Sequence, residues 1–304
     1  MLRYTLRQLE YALAVHDRGS VGQAAAAFGV AQPSVSAAIA KLEDQIGLQL
    51  FIRRHAQGVT ATPQGARFLA EARSLVNQAN DLQRFSESAG GAMEGALAIG
   101  SFMTLAPAFA PRIIAGFRAL YPGVRLGLDE GTQEVLLDGL RTGRHDLALL
   151  YSVDLPADIG ALELARLRPY LLLPASHRLA GRKRLMLADL AKEPLVLLDV
   201  QPSRTYFLGV LAEAGIAPRI AFSSPSLEVV RGLVAQGLGY SILITRPDGD
   251  RSYDGGPLVA KPIAGTVESG VIVLASLRQV RKTRLVTAFE DYCVTFFAKE
   301  FGRS

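Results

Sequence analysis

Apolar residues recur at three- to four-residue intervals through the first ninety positions, which predicts helices. Leu6, Leu9 and Leu13 lie on one face of a first helix that ends near Gly19. Ser20, with Gln23 three residues later, has the form of a capping box and opens a short alanine-rich helix through Phe28, which Gly29 stops. Val30, Ala31 and Gln32 then make a tight turn. Pro33, whose fixed φ suits a first helical position, begins a third helix that runs to Ile46 and is closed by Gly47. Val35, Ile39, Leu42 and Ile46 share its inner face. Pro33, Ser34, Ala37, Ala40 and Lys41 share the outer one, with Ser36 at the flank. Two β-prone runs, 50–54 and 59–62, flank Ala56, Gln57 and Gly58 and predict a hairpin that carries Arg53 and Arg54.

Thr62 as N-cap and Pro63 as first residue open a long helix to about residue 88. Leu69, Ala72, Val76 and Ala79 form one stripe on it, and Phe68, Leu75 and Leu82 form a second beside the first. So broad an apolar face needs a partner, either the same helix of a second subunit or the rest of its own chain. At 1.5 Å per residue the helix spans about 40 Å, comparable to the roughly 34 Å between successive major-groove half-sites.

The pattern changes after Ala89, Gly90, Gly91, Ala92 and Gly95, a run of small residues that marks a domain boundary. Strands at 97–100, 124–129 and 147–151 alternate with helices at 105–120 and 134–141. A second series has strands at 170–173, 195–198 and 219–222 with helices at 203–214 and 227–235. Strands at 240–244, 258–262 and 271–275 and a helix at 283–301 complete the chain. Alternation of this kind predicts a mainly parallel sheet with helices on both faces, and the two series predict two lobes.

Charge and composition narrow the choice of function. The 304 residues are 49% hydrophobic, enough for two or three domains with buried cores. The net charge of +5 permits nucleic-acid binding without establishing it, and residues 1–90 hold only +2 of it. Locally the balance is sharper: Arg53, Arg54, Arg67 and Arg73 stand against Glu71 alone between positions 49 and 73. The single Cys293 rules out an internal disulfide framework, and His16, His55, His145 and His177 show no metal-ligand spacing. No catalytic residue, metal or cofactor is expected. Residues 1–20 contain neither a secretory leader nor a membrane span, so a cytoplasmic location is expected.

The small outer residues of the third helix let its backbone approach a duplex closely. In that setting Gln32 pairs with adenine, Lys41 reaches guanine or phosphate, Pro33, Ser34 and Ser36 lie against the groove, and Arg53 and Arg54 contact the backbone. The ordered string Leu9, Ser20, Ala24, Ala25, Gln32, Pro33, Ser34, Val35 and Ser36 resembles the signature of LysR-type transcriptional regulators. It continues through Ile39, Leu42, Glu43, Gly47, Leu50, Phe51, Arg53, Arg54, Val59, Thr60, Thr62, Pro63 and Gly65, covering most of residues 5–70. Ala37 departs from it where members often carry a basic residue, and Ala61 where leucine is common. The first departure bears on base readout, not on the fold.

The resemblance implies a multidomain α+β protein: a winged helix-turn-helix at 1–62, a dimerising linker helix at 63–90 and an effector-binding domain at 91–304. That last domain would be two-lobed and hinged like a periplasmic binding protein, with lobe I at about 95–168 and 265–304 and lobe II at about 169–264. A homodimer or homotetramer would read an inverted repeat in double-stranded DNA, and effector binding would alter DNA bending and access of RNA polymerase. Ligands in open α/β folds settle beyond the carboxyl ends of strands, where helix N-termini favour anions. Ser101, Phe102 and Thr104 leave the first strand, Thr132 the second, and Pro202, Ser203 and Arg204 the first strand of the other lobe. They are expected to hold a small anionic effector across a cleft, although Thr104 and Ser203 fit equally well as helix caps. A solute-binding protein and an architectural DNA-binding protein without an effector are the competing readings.

Overall fold

The computed structural model describes residues 3–54, 58–87 and 93–302. Glycines in left-handed conformation close the first helices. Helix α1 (Leu6–Arg18) starts on Thr5, whose side chain accepts from the Gln8 amide, and ends at Gly19 with φ 62°. Helix α2 (Val21–Phe28) starts on Ser20, whose hydroxyl accepts from the Gln23 amide at 3.4 Å. Of the expected capping box, only this bond forms among the described residues. Helix α3 (Gln32–Ile46) begins one residue before Pro33, because Ala31 is extended and the turn is correspondingly shorter.

Strands β1 (Phe51–Arg54) and β2 (Gly58–Ala61) pair antiparallel and form the expected wing, with Phe51 opposite Ala61 and Arg54 opposite Gly58. The hairpin tip at His55, Ala56 and Gln57 lies outside the described residues, as do the side chains of Arg53 and Arg54. Two contacts fix the wing's position. The Glu43 carboxylate accepts from the amides of Leu50 at 2.6 Å and Phe51 at 3.1 Å. The Val59 amide donates to the Gly19 carbonyl at 2.8 Å, and a Cβ at Gly58 would stand 2.5 Å from that oxygen.

Helix α4 (Pro63–Glu87) is capped by Thr62, whose hydroxyl accepts from the Gly65 amide at 2.8 Å. Leu69, Ala72 and Val76 are buried in one cluster with Leu9, Leu13, Val35, Leu42 and Leu50. The stripe of Leu69, Ala72 and Val76 thus packs on the chain's own N-terminal core, the second of the two expected partners, while Leu75 and Leu82 stay 40% and 70% exposed. On another side α4 meets the second half of the chain: Asn77 donates to Asp146 at 3.4 Å, and Arg73 pairs with Asp17 while passing over Gly143. Ala89, Gly90, Gly91 and Ala92 lie outside the described residues.

The second half opens with β3 (Gly95–Phe102), α5 (Ala106–Leu120), β4 (Val124–Gly131), α6 (Gln133–Arg141), β5 (Leu147–Tyr151) and β6 (Ile159–Leu167). Residues 168 and 169 cross to a second sheet built from β7 (Tyr170–Pro174), β8 (Pro194–Leu198), α7 (Ser203–Glu213) and β9 (Arg219–Ser224). It continues with α8 (Leu227–Ala235), β10 (Ser241–Leu243) and β11 (Leu258–Pro262), after which the chain returns for β12 (Gly270–Leu277) and α9 (Arg284–Phe301).

The first sheet has the order β4-β3-β5-β12-β6. In the second, β10-β7-β11 adjoins the β8-β9 pair through the bridge between Leu195 and Tyr240. The sheets are mixed and not mainly parallel. β3 is parallel to β4 and β5, and β8 to β9, because helices connect those strands. β12 runs antiparallel to β5 and β6, and β7 antiparallel to β10 and β11. β6 follows β5 without a helix and runs in the same direction, the returning β12 lying between the two and antiparallel to both. It has no counterpart among the expected strands, since Gly160, Ala161 and Ala165 dilute its alternation.

Buried residues of both lobes join in one apolar cluster, separate from the N-terminal one. Among the described residues no helix is long and apolar enough to cross a membrane.

Candidate functional site

The two faces of α3 divide as their polarity requires. Val35, Ile39 and Leu42 are buried, whereas Gln32, Pro33, Ser34 and Lys41 are exposed and Ser36 is half-buried. Five of the seven expected DNA-contacting residues therefore share one accessible surface. For Arg53 and Arg54 the backbone places both on the adjoining wing strand, opposite Val59 and Gly58. The sequence reading missed a neighbour. Gly22 lies against the Gln32 side chain, a Cβ there falling 3.5 Å from Gln32 Oε1, so the first turn of α2 borders the accessible face of α3 and presents exposed Gln23. Its position three residues after Ser20 is the only sequence signal it carries.

Between the lobes, the expected effector residues separate into two groups. Thr104, Pro202 and Ser203 come together from opposite lobes and line a small cavity of about 20 Å³ with Tyr151, Val153 and Tyr206. Burial raises the Tyr151 phenol pKa, opposed by hydrogen bonds with Thr245 and Thr104. Ser101 does not join them. It stands beside Ile99 on the other face of β3 and lines a separate small cavity with Phe289 and Cys293, its hydroxyl without a partner among the described residues. Phe102 is a core residue, fully buried and edge-on to Tyr151 at 5.7 Å. Thr132 is exposed and precedes α6 without a side-chain capping bond. Arg204 pairs with Asp199 at 2.8 Å and, by that bond, lowers the Asp199 carboxyl pKa. Its charge is therefore spent within its own lobe.

A much larger groove of about 910 Å³ opens between the lobes and shares Thr104 with the small cavity. Met103, Pro107 and Arg112 belong to its lobe I wall. Leu227 and Ile244 face them, and both crossing segments, through Arg168 and Ile263, form its floor. No sequence motif marks it, because its walls come from widely separated segments.

Other titratable groups are structural. His145 is buried with Nε2 3.0 Å from Asp129 and its ring against Gly139, where a Cβ would fall 2.1 Å from Nδ1. Cys293 is buried, and burial pushes its thiol up to about 12, so it is a poor nucleophile. Among the described residues no group of His, Cys, Asp and Glu is placed to hold a metal.

Comparison with known proteins finds a family match in each half of the chain. Residues 6–66 match the bacterial regulatory helix-turn-helix protein, lysR family, and residues 90–298 match the LysR substrate binding domain. The DNA-binding transcriptional dual regulator OxyR of Escherichia coli (strain K12) is 31% identical over 239 residues, 78% of each chain. The solved structure of HinK, a LysR family transcriptional regulator from Pseudomonas aeruginosa, is 43% identical with a TM-score of 0.68, covering 98% of this chain and 99% of that one. A full-length OxyR variant from Pseudomonas aeruginosa is 25% identical with a TM-score of 0.77, covering 96% and 98%. These relatives are transcriptional regulators, not enzymes. With its N-terminal DNA-binding helix-turn-helix and its C-terminal effector-binding domain, the chain belongs to the LysR family of transcriptional regulators.

Proposed function

We propose that this regulator works in the cytoplasm as a homodimer or a dimer of dimers, placing two α3 helices in successive major grooves of an inverted-repeat operator. The observation that carries this reading is the split of α3 into a buried apolar face and an accessible face of small residues with Gln32 and Lys41. The exposure of Leu75 and Leu82 on α4 supports a helix-to-helix subunit contact, since large apolar side chains in a row on one helix gain from burial. In this division residues 1–62 read DNA, 63–90 join subunits and 91–304 sense the effector.

A small anionic molecule binds between the lobes, in the groove that Thr104 borders, and its binding changes subunit arrangement and access of RNA polymerase. Peroxide sensing, the role in the names of several relatives, finds no support in the thiol chemistry here: the sequence holds one cysteine, and it is buried with a raised pKa.

Selection of bound sequences from random duplex DNA at physiological salt tests the operator reading. An inverted repeat with half-sites about one helical turn apart is expected, and no enriched sequence would refute it. On that operator, Arg53→Ala is expected to weaken all sequences alike and reduce the salt slope by about one. Gln32→Ala is expected to cost about 1–3 kcal/mol of discrimination at one base pair. Equal effects of the two changes on every sequence would contradict the assigned roles.

A further inference from the structure

Gln32 opens α3 and is exposed, and Ala31 before it makes no side-chain capping bond. Among the described residues the Gln32 side chain has no hydrogen-bond partner, so packing alone decides where its amide lies. The packing comes from α2. Of the three atoms nearest to where a Cβ on Gly22 would stand, two belong to Gln32, Oε1 at 3.5 Å and Cδ at 4.0 Å, and the third is Ser20 Oγ at 3.8 Å. The Gln32 amide rests beside the space that a side chain at position 22 would fill.

Nothing in the backbone asks for glycine there. Gly22 lies in the first turn of α2 and is not among the glycines in left-handed conformation. Within a helix glycine is less stable than alanine. What it supplies at this point is room. A methyl group would stand at ordinary contact distance from Gln32 Oε1, so alanine fits. Valine adds two further methyl groups to that Cβ, which reach into the gap between Ser20 and Gln32, and one of these neighbours must yield. Ser20 is held: its hydroxyl accepts from the Gln23 amide at 3.4 Å and caps α2, a bond whose loss destabilises a helix. Gln32 has no such bond and turns between staggered rotamers at little cost, so it is the group that moves.

We propose that position 22 is a specificity-determining position for DNA reading: glycine there leaves the Gln32 amide the place from which it meets a base edge, and a side chain larger than alanine drives it out. This rests on the reading above that Gln32 contacts a base. A glutamine reads adenine with both amide atoms, its oxygen accepting from the exocyclic amine and its nitrogen donating to N7. Rotation about one side-chain torsion takes both atoms away from the base edge. Contacts with phosphates carry no sequence information and stay as they are, so the loss is of discrimination at one base pair and not of general affinity.

The test uses the full-length protein, the operator recovered by selection and its single-base-pair variants. Gly22→Val is expected to lower discrimination roughly 5- to 150-fold, the worth of a bidentate contact, at the base pair that Gln32→Ala also relaxes and at no other. Gly22→Leu, with stronger helix propensity, should behave as valine does, and Gly22→Ala should discriminate like the parent. Combined with Gln32→Ala, Gly22→Val should add nothing, the non-additivity of two residues acting through one contact. Replacing the purine of that base pair by its 7-deaza analogue, which lacks the N7 acceptor, should weaken the parent and leave Gly22→Val unmoved. Unchanged far-ultraviolet circular dichroism and an unlowered melting temperature would show that the variants are folded.

Relaxation of every base pair alike by Gly22→Val and Gly22→Leu would overturn the proposal, as would a further loss at the same base pair in the Gln32→Ala background. A Gln32→Ala protein that relaxes no base pair would overturn the reading of Gln32 and this proposal together. A Gln32→Ala protein that relaxes a base pair which Gly22→Val and Gly22→Leu still discriminate like the parent would overturn this proposal alone.

Discussion

Replacing Glu43 by alanine is expected to lower the stability of the N-terminal domain by about 2–6 kcal/mol and to remove tight operator binding. The Glu43 carboxylate accepts from the amides of Leu50 and Phe51, both buried residues, at 2.6 and 3.1 Å. Without it both amides lose their acceptor, and each buried unsatisfied donor costs about 1–3 kcal/mol. For a domain of this size each kilocalorie is worth about 4–8 °C in melting temperature, so the first calorimetric transition should fall by at least about 8 °C. The same two bonds join the end of the reading helix to the first wing strand. Their loss lets the wing move relative to the groove-facing residues, and affinity should drop further than stability alone explains. Glu43→Gln keeps an acceptor oxygen and should restore most of the melting temperature. A Glu43→Ala protein that melts and binds DNA like the parent would show that the wing is held by its other anchor, the Val59 amide on the Gly19 carbonyl.

Phe117→Ala is expected to have a comparable effect on the other half of the molecule, about 3–5 kcal/mol. Phe117 is fully buried where α5 meets α9, with ring centroids 5.0 Å from Phe289, 5.5 Å from Tyr292 and 4.8 Å from Tyr121. Truncation leaves a cavity that these flat rings cannot close by sliding, and it forfeits edge-to-face contacts worth about 0.5–1.5 kcal/mol each. Because α5 supplies Pro107 and Arg112 to the interlobe groove, ligand affinity should fall with stability. The N-terminal core is a separate cluster, so its transition should stay within about 0.5 kcal/mol of the parent. Movement of both transitions together would mean that Arg73 and Asn77, which touch lobe I from α4, couple the two halves more strongly than their few polar contacts suggest.

Much of the N-terminal domain was legible in the chain, since its signals are local. Left-handed glycines at 19, 29 and 47 end helices within a turn, Thr62 and Pro63 start one, and the spacing of Val35, Ile39 and Leu42 separates an inner from an outer face. The exposure of Gln32, Ser34 and Lys41 follows from that spacing alone.

The sensor domain was legible only as a succession of elements. Strand order was not, because β6, β7, β11 and β12 pair across long stretches of sequence, and their antiparallel direction depends on which connection carries a helix. Side-chain direction at strand ends was likewise hidden. One residue of pleat sends Ser101 beneath α5 and α9 and Phe102 to the other face, while the turn that follows brings Thr104 into the space between the lobes.

Sequence by itself thus determined the helices, the accessible face of α3 and the succession of elements in the two lobes, since each follows from patterns within a few residues. Tertiary structure alone decided that Arg204 is neutralised by Asp199, that much of α4 is buried in its own domain, and that Thr104, Pro202 and Ser203 come together from opposite lobes. Those outcomes depend on burial and on charges brought together from distant segments, and neither quantity exists until the chain has folded.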